Sequence, residues 1–213
     1  MKEYPKTFGF NPALAGRPCK AFYKYDGSNL RFEYSRKQKR WYKFGTRRHL
    51  FLEGDPEYGA SLPVFFKKYA EGLAKVFHDT KSWRNADYMI VYGEYFGPHS
   101  FAGQHDPLRL KVENNDPKDL VLFDVEVHRR GILGPDEFIK NFGHLPVAEV
   151  VYEGPLTEEF FYEVRNGGKY NLNEGVMCKG GTGHNLWMCK VKTLDYLKRL
   201  KEMYAERWKD FWE

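Results

Sequence analysis

A lysine with an acid and a glycine close behind it is the most informative feature of the sequence. Lys24 opens the hexapeptide Lys24-Tyr25-Asp26-Gly27-Ser28-Asn29, so the acid follows by two positions and the glycine by three. A lysine amine can form a covalent intermediate when its surroundings activate it. Because a free lysine has a pKa of about 10.4, the amine needs nearby cations or a metal ion to lose its proton. The hexapeptide therefore predicts covalent chemistry only if suitable partners occur elsewhere in the chain.

Four later segments place charged or aromatic side chains inside otherwise apolar stretches. A charged group in an apolar strand costs free energy unless it is paired or faces a cleft, so each segment is a candidate part of a site. In the last segment the two lysines fall on one face of a strand, because side chains alternate along it. The segments are Gly93-Glu94, Phe123-Asp124, Glu174-Gly175 and Lys190-Val191-Lys192.

Taken in order, the hexapeptide and these segments resemble the covalent nucleotidyltransferase superfamily of RNA ligases, DNA ligases and mRNA capping enzymes. An arginine in Thr46-Arg47-Arg48, after the first predicted hairpin, adds to the pattern. Ser28-Asn29 in the hexapeptide and Lys179, five positions past Glu174, are most similar to ATP-dependent RNA ligases. The resemblance spans the chain from Lys24 to Lys192.

The resemblance implies a three-step reaction with ATP and Mg²⁺ or Mn²⁺ as cofactors. Lys24 would attack the α-phosphate of ATP, expel pyrophosphate and hold AMP as a lysyl phosphoramidate. The AMP would then pass to an RNA 5′-phosphate, and an RNA 3′-hydroxyl would displace it and seal the strand. The expected function is therefore ATP-dependent RNA ligation, as in RNA repair.

The same resemblance assigns catalytic and metal-binding roles. Lys24 is the expected nucleophile. Lys190 and Lys192 would lower its pKa and balance charge on the α-phosphate in the transition state. Asp26 and Glu174 would hold the hydrated metal ion, largely through water.

Four further residues are expected to bind the nucleotide. Glu94 would accept hydrogen bonds from the ribose hydroxyls, and Phe123 would stack on the adenine. Arg47 would contact the ribose or the phosphates, and Lys179 the phosphates. Arg48 is an alternative to Arg47, because the sequence does not fix the register of that strand end.

The pattern of elements predicts an α+β fold, and the resemblance implies a nucleotidyltransferase core of antiparallel β-sheets flanked by helices. Only residues 193–213 follow the last motif, so no C-terminal OB barrel is expected. We predict an adenylyltransferase catalytic domain over residues 1–193, with an amphipathic helix over residues 194–213 packed on it. The predicted strands are residues 29–35, 41–47, 87–95, 120–127, 147–152, 175–179 and 186–192. The predicted helices are residues 62–78 with Ser61 as N-cap, Pro135–Phe142, the helix that Thr157 caps and that runs through Arg165, and residues 194–212.

Composition excludes several classes of protein. Three cysteines, Cys19, Cys178 and Cys189, are too few for a disulfide scaffold, and with His184 the last two fit no common zinc spacing. No apolar run reaches membrane-spanning length, and the N-terminus has no signal-peptide pattern. We expect an intracellular protein, cytoplasmic or associated with nucleic acid, with no membrane partner.

The RNA partner leaves alternatives open. The formal net charge of +5 is compatible with a polyanionic partner, here RNA with 5′-phosphate and 3′-hydroxyl ends. The basic run at residues 36–40 is either a solvated hairpin turn or a contact to RNA phosphates. RNA would be held by the catalytic domain itself or with the help of a protein partner. The loop at residues 97–107, with His99 and His105, is a candidate cover for the nucleotide.

Two other functions remain compatible with the sequence. One is an accessory RNA- or nucleotide-binding protein on the same fold that does not seal RNA. The other, less favoured, is a capping-type guanylyltransferase.

Overall fold

The computed structural model describes residues 4–98, 100–102 and 118–211. Their contacts divide the chain into two compact units. The first unit comprises Met1–Tyr4 and Gly27–Val147, and the second comprises Pro5–Asp26 and Ala148–Glu213. The chain therefore passes from one unit to the other inside the hexapeptide, between Asp26 and Gly27.

The described residues form two sheets in which all paired strands are antiparallel. The strands are β1 (Pro18–Lys24), β2 (Gly27–Ser35), β3 (Arg40–Thr46), β4 (Leu50–Phe51), β5 (Tyr88–Phe96), β6 (Asp119–Val127), β7 (Gly131–Ile132), β8 (Val150–Pro155), β9 (Gly175–Gly180) and β10 (Trp187–Lys192). The sheet of the first unit has six of them in the order β4-β3-β2-β5-β6-β7, and that of the second has four in the order β10-β9-β1-β8.

Helices accompany each sheet. The first unit contains α1 (Ser61–Phe65), a π-helical turn (Phe66–Ala70), α2 (Glu71–Asp79) and α3 (Pro135–Phe142). The second unit contains α4 (Glu158–Asn166), α5 (Leu194–Tyr204) and a following 3-10 segment (Ala205–Phe211). This α+β arrangement of antiparallel sheets and helices confirms the predicted fold class.

The first unit's sheet has one apolar and one polar face. On the apolar face Phe32 stacks on Phe65 of α1, with ring centroids 3.9 Å apart. Tyr69 of the π-helical turn donates a hydrogen bond of 2.6 Å to the carbonyl of Leu120, which ties the helix to β6. The opposite face carries charged side chains that are nonetheless buried: Arg31, Glu33, Asp124 and Glu126. Burial of charge of this kind is typical of a site rather than of a core.

The second unit's sheet is likewise two-sided. Ala21, Cys178 and Val191 belong to its apolar core, against which Phe160 and Val164 of α4 pack. The three cysteines are free thiols and are buried. Because side chains alternate, the lysines of β1, β9 and β10 lie on the other face.

Several predicted element ends differ from the structure. Ser61 is the first residue of α1 instead of its N-cap, and its hydroxyl donates to the carbonyl of Tyr58 at 2.6 Å. β8 begins at Val150, and Val147 forms only an isolated bridge. The helix predicted over residues 194–212 is an α-helix only as far as Tyr204: the backbone turns at Ala205, with a φ of 45°, and continues as a 3-10 segment to Phe211, while residue 212 lies outside the described residues.

The other predicted elements are close to those observed. Thr157 caps α4 as predicted, accepting a 3.1 Å hydrogen bond from the amide of Phe160. The division into residues 1–193 and residues 194–213 stays a prediction. None of the helices in the described ranges combines the length and apolar character that crossing a membrane requires.

Candidate functional site

Lys24 and Lys192 share one carboxylate at the end of the second unit's sheet. Lys24 Nζ lies 2.8 Å from one oxygen of Glu174, and Lys192 Nζ lies 3.3 Å from the other. The side chains of Glu174 and Lys192 are only 4% and 7% exposed, whereas that of Lys24 is 21% exposed. A buried carboxylate thus holds two cations, and the predicted nucleophile is the one that solvent and substrate can reach.

Gly175 is what lets these groups converge. It lies opposite Lys24 of β1 on one side and opposite Lys192 of β10 on the other. Its φ is +153°, and a Cβ atom there would lie 2.0 Å from the carbonyl oxygen of Val191. Only glycine fits this backbone position. The glycine after Glu174 is therefore a structural requirement for bringing the two lysines to one carboxylate.

Asp26 is held by a tyrosine that the sequence pattern did not reveal. The hydroxyl of Tyr196, on α5, donates a 2.9 Å hydrogen bond to Asp26 Oδ1. The Tyr196 ring also lies beneath the ammonium group of Lys192, 5.0 Å from Nζ to the ring centroid. Thr193 caps α5 and fixes the start of the helix that carries this ring. Tyr196 therefore contacts two of the predicted site residues at once.

Lys179 and Lys190 extend the lysine-bearing face. Lys179 of β9 is buried, and its ammonium group lies over the ring of Phe22 at 4.8 Å. Lys190 lies opposite Met177 and two residues before Lys192, so it points to the same face. Lys20, which the sequence analysis did not single out, lies on this face opposite Lys179 and forms an ion pair with Glu153. Such a concentration of cations is suited to binding phosphate groups.

Burial dominates the electrostatics of Lys192. Removal from water lowers the pKa of this lysine, the charge of Glu174 opposes that effect, and the charge of Lys24 adds to it. Lys192 is thus a buried cation whose protonated form is favoured chiefly by Glu174, with a smaller contribution from Asp26.

Glu94 and Phe123 lie on the polar side of the first unit's sheet. Glu94 of β5 pairs with Asn29 of the hexapeptide. The register of β5 and β6 shifts between Tyr92 and Gly93, which leaves Phe123 as the extra residue of a β-bulge. A bulge redirects the side chain that it contains. This explains why Phe123 is only half-buried in a strand whose neighbouring residues are buried.

A second residue missed by the sequence analysis, Tyr4, packs against Phe123. The two rings meet edge to face, with centroids 5.4 Å apart, and Tyr4 makes a similar contact with Tyr92. The Tyr4 hydroxyl donates a short hydrogen bond to Asp124. Burial, and then the charge of Asp124, raise the pKa of Tyr4 well above its usual value. Tyr4 thus fixes the surroundings of the predicted adenine-stacking ring.

The structure distinguishes the two arginines after β3 by their exposure. Arg47 is half-buried and Arg48 is exposed, in a turn closed by a hydrogen bond from the Thr46 amide to the His49 carbonyl. The assignment of Arg47 to the nucleotide stays a prediction. The predicted covering loop, with His99 and His105, lies largely outside the described residues.

The donor set suits a hydrated magnesium ion better than a protein-caged metal. The described residues contain no group of three or more histidine, cysteine or acidic side chains that could enclose a metal. Mg²⁺ is usually bound through one or two carboxylates, with water and substrate phosphates filling the other positions. Asp26 and Glu174 fit that pattern.

Comparisons with known proteins agree with the motifs and the fold. The sequence profile of the RNA ligase family matches residues 21–192. No curated protein matches the sequence. Among solved structures, the Naegleria gruberi RNA ligase with PPi superimposes with a TM-score of 0.61 at 15% identity, over 95% of this chain and 58% of that one.

An archaeal ATP-dependent RNA ligase superimposes equally well. Its TM-score is 0.61 at 17% identity, over 96% of this chain and 52% of that one. A variant of the Naegleria gruberi enzyme with ATP and Mn gives 0.58 at 18% identity, over 88% of this chain and 53% of that one. The chain thus spans between half and three-fifths of the length of these structures. The fold is the nucleotidyltransferase core of RNA ligases, and by its profile match the chain belongs to the RNA ligase family.

Proposed function

We propose that the protein is an ATP-dependent RNA ligase that forms a covalent lysyl-AMP at Lys24. The observation that carries the proposal is the contact of Glu174 with both Lys24 and Lys192. It gives one accessible lysine a neighbouring cation and a carboxylate suited to a divalent ion. Membership of the RNA ligase family supports the same reaction.

The pairing with Glu174 explains how Lys24 would be held before reaction. An opposite charge at 2.8 Å favours the protonated amine, which is not nucleophilic. A divalent cation at Asp26 and Glu174, bound largely through water, would neutralise the triphosphate and orient the leaving pyrophosphate. With Glu174 engaged in this way, the like charge of Lys192 favours the neutral amine of Lys24.

In the first step the Lys24 amine forms a P–N bond to the α-phosphate as the P–O bond to pyrophosphate breaks. Lys190 and Lys192 would offset the negative charge that develops on the α-phosphate oxygens. The RNA 5′-phosphate then takes the AMP, and the 3′-hydroxyl of the second RNA end displaces it. Each transfer exchanges one bond to phosphorus for another and needs no oxidant or reductant.

We further propose that the nucleotide is held as the family resemblance implies. Glu94 would accept hydrogen bonds from the ribose hydroxyls, and Phe123 would stack on the adenine. Arg47 would contact the ribose or the phosphates, and Lys179 the phosphates. The buried free thiols are consistent with a reducing, intracellular location.

Transfer of label from ATP to the protein tests the proposal directly. The protein is incubated with Mg²⁺ and α-labelled ATP or GTP, and label on the denatured chain is measured. Label from ATP should appear on the wild type and be absent in Lys24→Ala. Lys169→Ala is a matched control, because Lys169 belongs to the same unit and is also paired with a carboxylate, that of Glu163 on α4, which packs on the other face of the sheet.

The outcomes separate the candidate functions. Label from GTP would favour a capping-type guanylyltransferase. No label from either nucleotide would refute the enzyme and leave an accessory nucleotide- or RNA-binding protein. Adding RNA with a 5′-phosphate and a 3′-hydroxyl should move the label to RNA and yield a joined product.

A further inference from the structure

Two turns and one connecting segment of the first unit meet at the end of the sheet that is remote from Glu94. The turn at residues 36–39 follows β2, whose last residue, Ser35, pairs with Tyr88 at the start of β5. Met89 in turn pairs with Val127, the last residue of β6, so the turn at residues 128–130 lies at the same end. The segment that leads into β5, residues 80–87, completes this group.

Arg36 locks the first turn onto that segment. Its guanidinium group donates hydrogen bonds to the carbonyls of Ala86 at 2.7 Å, Phe77 at 2.8 Å and Trp83 at 3.2 Å. Its backbone amide donates to the carbonyl of Asp87 at 2.8 Å. Arg36 is therefore a structural residue and differs in role from the exposed cations Lys37, Lys39 and Arg40 of the same run.

His128 connects the other turn to the same segment. Its amide donates to the carbonyl of Tyr88 at 3.1 Å, and its ring stacks on that tyrosine. Its Nδ1 lies 3.2 Å from the amide nitrogen of Asp87, whose carboxylate is also within ion-pair distance. Hydrogen bonds thus connect the turn at residues 36–39, through residues 77–88, with the turn at residues 128–130. The two turns and the segment at residues 80–87 form one surface, here called the basic end.

The basic end displays cations without acidic partners. Six exposed side chains carry the charge, and within the described parts of the chain none of them is paired with a carboxylate. The acids nearby are already engaged: Asp79 with Lys75, Asp87 with His128, and Glu137 with Arg130. The six cations are Lys37, Lys39, Arg40, Lys81, Arg84 and Arg129.

We propose that the basic end binds the phosphate backbone of the RNA substrate, away from the nucleotide. Like charges that a rigid frame brings together repel one another, and a polyanion relieves that repulsion by displacing its own counterions. Three separate elements contribute, so the cations are spread over a surface instead of lying along one side of a single turn. The inference rests on the proposed function, since it assigns a surface for the substrate of that reaction.

The geometry sets the length of RNA needed to reach this surface. β2 runs from Asn29, opposite Glu94, to Ser35, which is 35 − 29 = 6 residues. At about 3.3 Å per residue the basic end lies roughly 20 Å from Glu94. Taking the ~3.4 Å per nucleotide of a duplex strand, about six nucleotides cover that distance.

The test removes one cation from each of the three elements. The triple variant Lys37→Gln, Arg84→Gln, Arg129→Gln is compared with Lys67→Gln, Lys140→Gln, Lys198→Gln, which removes three exposed lysines elsewhere. Binding of a 5′-phosphorylated RNA of about 24 nucleotides is measured by fluorescence anisotropy from about 50 to 200 mM KCl. Losing three phosphate contacts should weaken binding about tenfold at low salt and reduce the salt slope by about two units.

The controls separate this inference from the proposed function. The triple variant should take label from ATP at Lys24 like the wild type, and should bind an RNA of about four nucleotides as the wild type does. An affinity and salt slope equal to those of the lysine control would overturn the inference and favour a partner protein for RNA capture. An equal loss on the short RNA, or a wild type that binds no RNA, would overturn it as well. If the wild type takes no label from ATP, the proposed function itself is refuted.

Discussion

Removing one hydroxyl, in Tyr196→Phe, should weaken metal binding and slow adenylylation of Lys24. The Tyr196 side chain is buried, and its hydroxyl donates at 2.9 Å to Asp26, a predicted metal ligand. A hydrogen bond to a charged acceptor contributes about 1.5 to 3 kcal/mol, which corresponds to roughly 10- to 100-fold in affinity or rate. Mutations of groups that orient metal ligands have effects of similar size.

Two measurements should change together in this variant. The affinity for Mn²⁺, followed by electron paramagnetic resonance on the protein with ATP, should fall about tenfold or more. The Mg²⁺ concentration that gives half-maximal labelling of Lys24 should rise by a similar factor. The ring of Tyr196 remains beneath Lys192, so the circular dichroism spectrum should match that of the wild type.

A second tyrosine provides the control. The hydroxyl of Tyr170 donates to Glu163 at 3.0 Å in the same unit, so Tyr170→Phe removes the same kind of bond away from Lys24. It should leave the affinity for Mn²⁺ and the labelling rate unchanged. Wild-type metal dependence in Tyr196→Phe, or equal losses in the two variants, would refute a positioning role for Tyr196.

Two further predictions concern stability. Burial lowers the pKa of Lys118 to about 8, whereas an unfolded lysine has a pKa of about 10.4. The unfolded chain therefore binds this proton more tightly, and wild-type stability to urea should rise between about pH 8 and pH 10. Lys118→Met should lack this part of the rise; superimposable pH profiles would contradict the reasoning. Arg36→Lys keeps the positive charge but loses the guanidinium group that donates to three carbonyls. Thermal unfolding should show that the free energy of unfolding falls by about 2 to 4 kcal/mol. In the control Lys37→Gln it should change by less than about 0.5 kcal/mol.

Short sequence motifs were enough to predict which residues the structure brings together around Glu174. Glu174-Gly175 and Lys190 to Lys192 are local patterns, and the register of β9 with β1 and with β10 brings Lys24, Glu174 and Lys192 together. Apolar and aromatic residues in residues 87–95 and 120–127 likewise predicted β5 and β6 well, because strand propensity and burial agree there. The roles of the site residues in catalysis and binding stay predictions.

The missed contacts depend on partners far away in the chain. Tyr196 reaches Asp26 across 170 positions, and Tyr4 reaches Asp124 across 120. Tyrosine hydroxyls find partners in most buried settings, so the residue type alone marks neither of them as part of a site. The bulge at Phe123 and the end of α5 at Ala205 were also not predictable, because packing instead of local propensity decides them.

The sheet that holds Lys24 has a consequence for the order of folding. β1 pairs with β8 and β9, and the ion pair of Lys24 with Glu174 joins residues 150 positions apart. Closing so long a loop costs chain entropy before any contact repays it, and such topologies fold slowly. The first unit is almost entirely the continuous stretch Gly27–Val147, and during synthesis it leaves the ribosome before β8, β9 and β10 do. The nascent chain therefore carries Lys24, the predicted nucleophile, for most of its synthesis without the carboxylate that holds it, and Lys24, Glu174 and Lys192 come together only after the last strands are made.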